Sequence, residues 1–266
     1  MLVLLEPDFA ALSRQAARIV VSAVKSNPSV TLGLATGSTT LGMYVEIIRV
    51  YREESLDFSH VATFNLDEYL GIAPDHPQSF HFFMRENFFR YINIPPTKTH
   101  IPDGMIKGNY EEYCSSYEQK IRVAGGIDLQ ILGIGRNGHI GFNEPASSLA
   151  SRTRLKVLSR ETIEDNRKSF TGEKIPECAI TMGIGTILDA RRIVILATGE
   201  AKADAVAQAI EGPISASVTA SSLQLHPDVT FIIDEKAASK LKHREYYQRV
   251  MEMTSLLGSR MSLPVG

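Results

Sequence analysis

The chain predicts an α/β fold, with a mainly parallel, Rossmann-like sheet as the middle of three layers and helices on both faces. Three observations predict it. Short apolar runs of strand length recur along the sequence, helical patterns follow them, and the glycine- and hydroxyl-rich motifs begin where the runs end. Strands that are apolar on both faces belong in a sheet covered on both sides. In such sheets the ligand crevice lies beyond the carboxyl ends of the strands, which is where every unusual motif of this chain falls.

Phe9, Leu12, Ala16, Ile19, Val20, Ala23 and Val24 recur at steps of three and four, so an amphipathic helix opens the pattern. Residues 30–35 (VTLGLA) read as a strand, TGSTT as a turn and residues 41–54 as a second helix. The same order returns at residues 61–66, at 127–134 and at 193–197, the last followed by TGEAKADAVAQAIEG. A further apolar run, 229–233, precedes an alanine-rich segment. Residues 93–108 read as a surface connection, and the charged stretch 152–176 as an exposed segment and candidate lid. No linker, internal repeat or low-complexity tract interrupts the sequence, so one domain over residues 1–266 is expected.

A hydrophobic content of 44% is enough for a sizeable core. The net charge of −2 and the scattering of 28 basic residues give no electrostatic footprint for nucleic acid or an anionic membrane. Any anionic ligand must be met locally. Cys114 and Cys178 stand alone, without CxxC spacing, and read as ordinary reduced cysteines. The N-terminal MLVLLEPDF lacks the length and basic flank of a signal peptide, and no run approaches the roughly 18 apolar residues of a membrane span. A soluble, cytoplasmic protein is expected.

Three motifs and two lone cations carry the chemistry. At the first strand end, ATGSTT places Thr36, Gly37, Ser38 and Thr39 at a helix start, where hydroxyls and free N–H groups suit an oxyanion and equally suit an ordinary helix cap. NLDEY follows the next strand. Asp67 and Glu68 there point to opposite sides if the strand continues, so one of them faces the crevice as a candidate base, the alternative being a cap. The third motif is GIGRNGHIGFNEP, residues 133–145, whose His139, a residue type suited to acid–base work, stands between glycines that let the backbone approach a ligand. Asn137 or Glu144 is positioned to bond its second ring nitrogen. Arg167 and Lys202 are candidate clamps for an anion, or else solvated surface cations. No GxxxxGK[ST], HExxH or GxSxG occurs, so a P-loop, a metal site and a nucleophile elbow are not indicated.

Taken together, ATGSTT, TFNLDEYLG, LGIGRNGHIGFNEPASSLASRTR, MGIGTILDA and SSLQLHPDV closely resemble the glucosamine-6-phosphate deaminase family, in order and over nearly the whole chain. The related 6-phosphogluconolactonases share the alternating fold and end their histidine loop differently. The resemblance implies conversion of glucosamine 6-phosphate to fructose 6-phosphate and ammonia in N-acetylglucosamine degradation, without metal or organic cofactor. It implies that His139 opens the sugar ring and that Asp67 takes the proton from C2, with Asn137 and Glu144 supporting the histidine. Thr36, Gly37, Ser38 and Thr39 then hold the substrate phosphate, with Arg167 and Lys202 as cations. Many family members carry Asp where this chain has Asn137, so charge stabilisation of the imidazolium falls to Glu144.

ASSLASRTRLK matches the segment that serves hexameric members activated by N-acetylglucosamine 6-phosphate. There the resemblance implies Ser147, Arg154 and Lys156 as effector ligands, and hence a homohexamer with an allosteric site. The matching C-terminal tyrosine falls ambiguously among Tyr246, Tyr247 and Gln248. Two alternatives are a 6-phosphogluconolactonase-like hydrolase and a non-catalytic sugar-phosphate sensor.

Overall fold

The computed structural model describes residues 1–167, 170 and 174–257. In chain order it contains β1 (Leu2–Glu6), α1 (Phe9–Ser26), β2 (Thr31–Leu34), α2 (Ser38–Glu54), β3 (Ala62–Asn65) and β4 (Asp67–Tyr69). Next come α3 (Phe80–Asn87), β5 (Thr99–His100), α4 (Tyr110–Val123), β6 (Leu129–Gly133), β7 (Arg154–Val157) and α5 (Arg160–Asn166). The chain continues through β8 (Cys178–Thr181), α6 (Ile184–Leu188), β9 (Arg192–Ala197), α7 (Ala203–Glu211), β10 (Val229–Asp234) and α8 (Arg244–Leu257).

Seven strands form one sheet in the order β1-β10-β9-β6-β2-β3-β5, and every neighbouring pair is parallel. From β2 the chain winds outward through β3 and β5, and from β6 it winds the other way through β9 and β10. The boundary between β2 and β6 is therefore the topological switch point, where a crevice opens at the carboxyl ends. Alternation splits the strand residues between two cores. Ile193, Ile195, Phe231 and Ile233 pack with α4, α6 and α7, whereas Val194, Leu196 and Ile232 pack with α1 and α2. These are the outer layers expected from the sequence. Asp8 starts α1 by accepting the Ala11 N–H at 2.8 Å.

Four features depart from the sequence expectations. The N-terminal apolar run is strand β1, held parallel to β10. Helix α2 begins at Ser38, three residues earlier than its apolar periodicity suggests, with Gly37 as the cap and no side-chain capping bond. The stretch 93–108 contributes the short edge strand β5. A second, antiparallel sheet of order β4-β8-β7 forms beside the main one, and it converts the first part of the charged stretch 152–176 into a paired strand. In this small sheet Asp67 lies opposite Thr181, and Thr181 lies opposite Arg154. Helix α5 follows, while residues 168, 169 and 171–173 of the candidate lid lie outside the described residues. No described helix is long and apolar enough to cross a membrane.

Candidate active site

A cleft of about 520 Å³ opens at the switch point. Its floor is the set of strand ends: Thr36–Thr39 after β2, Asp67 after β3, the glycine loop after β6 and Lys202 after β9. Gly37 has φ +115°, a conformation that side-chain-bearing residues rarely adopt, and it turns the chain abruptly into α2. No side chain caps α2, and its first residues line the cleft together with the half-exposed or exposed Thr36, Ser38 and Thr39. An uncapped helix start of this kind suits an anion, through its backbone donors and the helix dipole.

On β4 the strand geometry persists and separates the two acidic side chains. Asp67 lines the cleft at 7% exposure. Burial, reinforced by the nearby Glu68, pushes its carboxyl up to about 8. Glu68 turns the other way and is fully buried. It accepts the N–H of Tyr69 at 2.9 Å, of Phe80 at 2.8 Å and of His81 at 3.1 Å. Burial outweighs these bonds and leaves its carboxyl at about 7.

The histidine loop is closed by its own backbone: Gly135 N–H donates to the His139 carbonyl at 2.8 Å, and Gly138 N–H to the Gly135 carbonyl at 3.0 Å. The imidazole lies flat on the α-carbon of Gly135, where any side chain would run into the ring. Gly138, at φ +81°, packs as closely against Val218. His139 faces the cleft; Asn137 and Glu144 sit behind it and do not line the cavity. Asn137 Oδ1 accepts the His139 N–H at 3.2 Å, and its amide reaches Glu144 Oε2 at 3.4 Å. Glu144 Oε2 is 3.6 Å from His139 Nδ1, slightly long for a hydrogen bond. Burial works against ionising Glu144, yet His139, Thr162 and the Ser159 N–H together hold its carboxyl down at about 2.

Lys202 is half-buried at the cleft, and that burial lowers its proton affinity against the attraction of Asp165. Asp165 is itself gripped by Arg136 at 2.7 and 3.0 Å. Arg167, expected as the second phosphate cation, stands outside the cleft lining. It caps the carboxyl end of α5, two-thirds exposed and 3.1 Å from Glu164, where the helix dipole favours a cation. The effector residues lie apart as well. Arg154 and Lys156 alternate along β7, Arg154 donates to Asn143 Oδ1 at 2.8 Å, and the buried Ser147 hydroxyl has no hydrogen-bond partner. Tyr246 is exposed on α8, while Tyr247 packs on the core and reaches Glu211 at 3.3 Å.

An aromatic wall was not anticipated from the sequence. Tyr69 packs against Phe80, Phe142 and Phe170 with ring centroids 4.9, 5.3 and 5.6 Å apart, and all four rings line the cleft. Tyr69 carried a usable signal, since it stands two residues from Asp67 on one strand face. Phe80 and Phe170 arrive from distant segments and carried none. Among the described residues no group of three His, Cys, Asp or Glu side chains is placed to hold a metal ion.

Residues 8–230 match the family of glucosamine-6-phosphate isomerases/6-phosphogluconolactonase. A glucosamine-6-phosphate deaminase of Halothermothrix orenii is 53% identical over 91% of this chain and 100% of its own. Its counterpart from Hahella chejuensis is 54% identical over 92% and 93% of the two chains. Among solved structures, a monomeric glucosamine-6-phosphate deaminase superposes with a TM-score of 0.88 at 45% identity, covering 90% of this chain and 99% of that one. The 6-phosphogluconolactonase of Trypanosoma cruzi, at 22% identity and a TM-score of 0.70 over 91% and 97% of the chains, shares the fold. An open cleft at the switch point, a sequence match over most of the length and the superposed structures agree: this chain belongs to the glucosamine-6-phosphate isomerase/6-phosphogluconolactonase family.

Proposed function

We propose that this protein is a glucosamine-6-phosphate deaminase, converting glucosamine 6-phosphate and water to fructose 6-phosphate and ammonia in amino-sugar breakdown. One observation carries the proposal: Asp67, His139 and the uncapped start of α2 open into a single cleft. The family relatives at 53% and 54% identity, named for this activity, support it. The phosphate is held by Thr36, Gly37, Ser38, Thr39 and Lys202, which fixes the sugar at its far end and lets binding energy orient the reacting carbons. His139, backed by Asn137 and Glu144, moves a proton between the anomeric hydroxyl and the ring oxygen to open the ring. Asp67 then takes the proton from C2, giving an enolamine, and a proton is returned at C1. Water adds at C2 and ammonia leaves. A carbon-bound proton is weakly acidic, and a carboxylate with raised proton affinity is the suitable acceptor. Arg167 lies outside the cleft lining, so its contact with the phosphate requires an inward movement within the candidate lid 152–176.

The effector half concerns Ser147, Arg154 and Lys156 as a site for N-acetylglucosamine 6-phosphate in a hexamer. Support comes from the unpartnered Ser147 hydroxyl and from two neighbouring cations on β7. Burial and the charge of Arg154 both lower the proton affinity of Lys156, the mark of cations gathered without full neutralisation. A coupled assay of fructose 6-phosphate and ammonia, run with and without N-acetylglucosamine 6-phosphate, tests both halves. Ammonia release is expected, with activation by the effector. Lactone hydrolysis in place of ammonia release would replace the proposal with the lactonase alternative. A monomer with hyperbolic, effector-independent kinetics, in keeping with the monomeric solved relative, would remove the effector half alone.

A further inference from the structure

Glu68 is a buried carboxylate beside the cleft to which the reaction proposed above gives no step. Both of its oxygens are acceptors. Oε1 takes the N–H groups of Tyr69 and Phe80, and Oε2 takes those of Phe80 and His81. Phe80 and His81 are the first residues of α3, whose cap Ser79 already bonds the Phe82 N–H at 2.9 Å. Glu68 therefore satisfies donors that the helix start leaves unpaired, and its charge sits at the favourable end of the helix dipole. The segment it grips lines the cleft through Gln78, Ser79, Phe80 and Phe83. Gly104 closes the same junction from below: a side chain there would strike the carbonyls of Tyr69 and Ile72 and come within 3.2 Å of Glu68 Cγ.

We infer that Glu68 is a positioning residue for carbon–proton transfer: its carboxylate fastens the base strand β4 to the first turn of α3 in the cleft wall and places a second acidic group one residue from Asp67. The inference rests on Asp67 being the base. The charged and titratable groups around this pair are few. Tyr69 on β4 and Tyr117 on α4 are both held neutral by burial. Asp103 after β5 and His81 on α3 stand on the Glu68 side, whereas His139 and Lys202 stand on the cleft side. Glu68 is the neighbouring charge that acts on Asp67 after burial.

The sign of the effect follows. A nearby negative charge makes a carboxyl hold its proton more strongly, so neutralising Glu68 makes Asp67 a stronger acid. In Glu68→Gln, the acidic limb of the kcat profile is expected to move to lower pH by about one unit. Gly104→Ala disturbs the same junction without changing charge, and is expected to lower kcat with the limb in place. An unmoved limb in Glu68→Gln overturns the inference. If Glu68→Gln does not fold, Phe80→Pro compared with Phe80→Ala poses the same question. Proline is tolerated at a first helical position and deletes one N–H that holds the anionic form of Glu68. Its limb is expected below that of Phe80→Ala, and identical limbs overturn the inference. Asp67→Asn separates the two levels. Turnover surviving in that variant removes the base assignment and this inference with it, whereas lost turnover with an unmoved Glu68→Gln limb removes this inference alone.

Discussion

Asp67 and Glu144 are both almost completely buried, at 7% and 4% exposure, yet their carboxyls are driven in opposite directions, up to about 8 and down to about 2. The two regions differ in what surrounds the carboxyl. On β4, burial acts on Asp67 with only another negative charge beside it. In the histidine loop, burial is overcome by the His139 imidazole, 3.6 Å away, and by donors from Thr162 and Ser159. Depth alone therefore does not set proton affinity: at Glu144 the imidazole and nearby donors outweigh burial, whereas at Glu68 three N–H donors do not. Environments that push two carboxyls apart also divide labour, one suited to capturing a proton and the other to remaining a permanent anion behind an imidazole.

The contrast is broken most forcefully at Asp67. Asp67→Asn is expected to reduce kcat by about 10³-fold or more, the scale of losing a positioned base, with little change in KM. Turnover within tenfold of the unmodified protein would mean that the carboxyl is not the acceptor. Glu144→Gln removes the permanent anion and is expected to cost about 10²-fold in kcat/KM. If ring opening is the step affected, substrate supplied with more of its open-chain form recovers part of the loss.

Stability sharpens the same contrast. Asp67 holds its proton in the folded chain up to about pH 8, whereas the unfolded chain releases it near 3.8, so its contribution to stability falls as pH rises through that window. Asp67→Asn should therefore melt higher than the unmodified protein, by about 1–3 kcal/mol at pH 8, with the gap shrinking toward pH 5. Glu144 behaves in the opposite sense. Its stabilisation is present above about 4.5 and is lost as pH falls toward about 2, so Glu144→Gln should flatten the acid-unfolding curve in that range. Thermal melts across pH check both signs. The smallest effect is expected at Asn137→Asp, which puts a second charge beside the imidazole and favours its protonated form. The limb of kcat/KM that reports the imidazole should move up by about half a unit, with kcat changed less than tenfold.

Residues buried on both faces were the most legible in the sequence. The five apolar runs of the main sheet appear as β2, β3, β6, β9 and β10, each shifted by no more than two residues, because a strand in a covered sheet must be apolar throughout. β4, β7 and β8 have three or four residues each and are specified by one another, so local pattern held too little to reveal them. β1 was hidden by its position at the chain start, where an apolar run invites comparison with a leader. In the site, glycines made the histidine loop visible, since a ring resting on Gly135 leaves no room for a side chain. The attachment of Glu68 was illegible, because its donors lie 12 and 13 residues further along.

The small sheet joins distant parts of the molecule by a short route. Arg154, Thr181 and Asp67 stand in one rung across three strands, and Lys156, Ala179 and Tyr69 in a rung two residues further on. Adjacent strands are spaced about 4.8 Å apart and tied by a ladder of backbone hydrogen bonds. A shift of the outer strand β7 therefore reaches Asp67 across two paired strands, with no loop in between. Mechanically, the rim of this sheet and the floor of the cleft are neighbours.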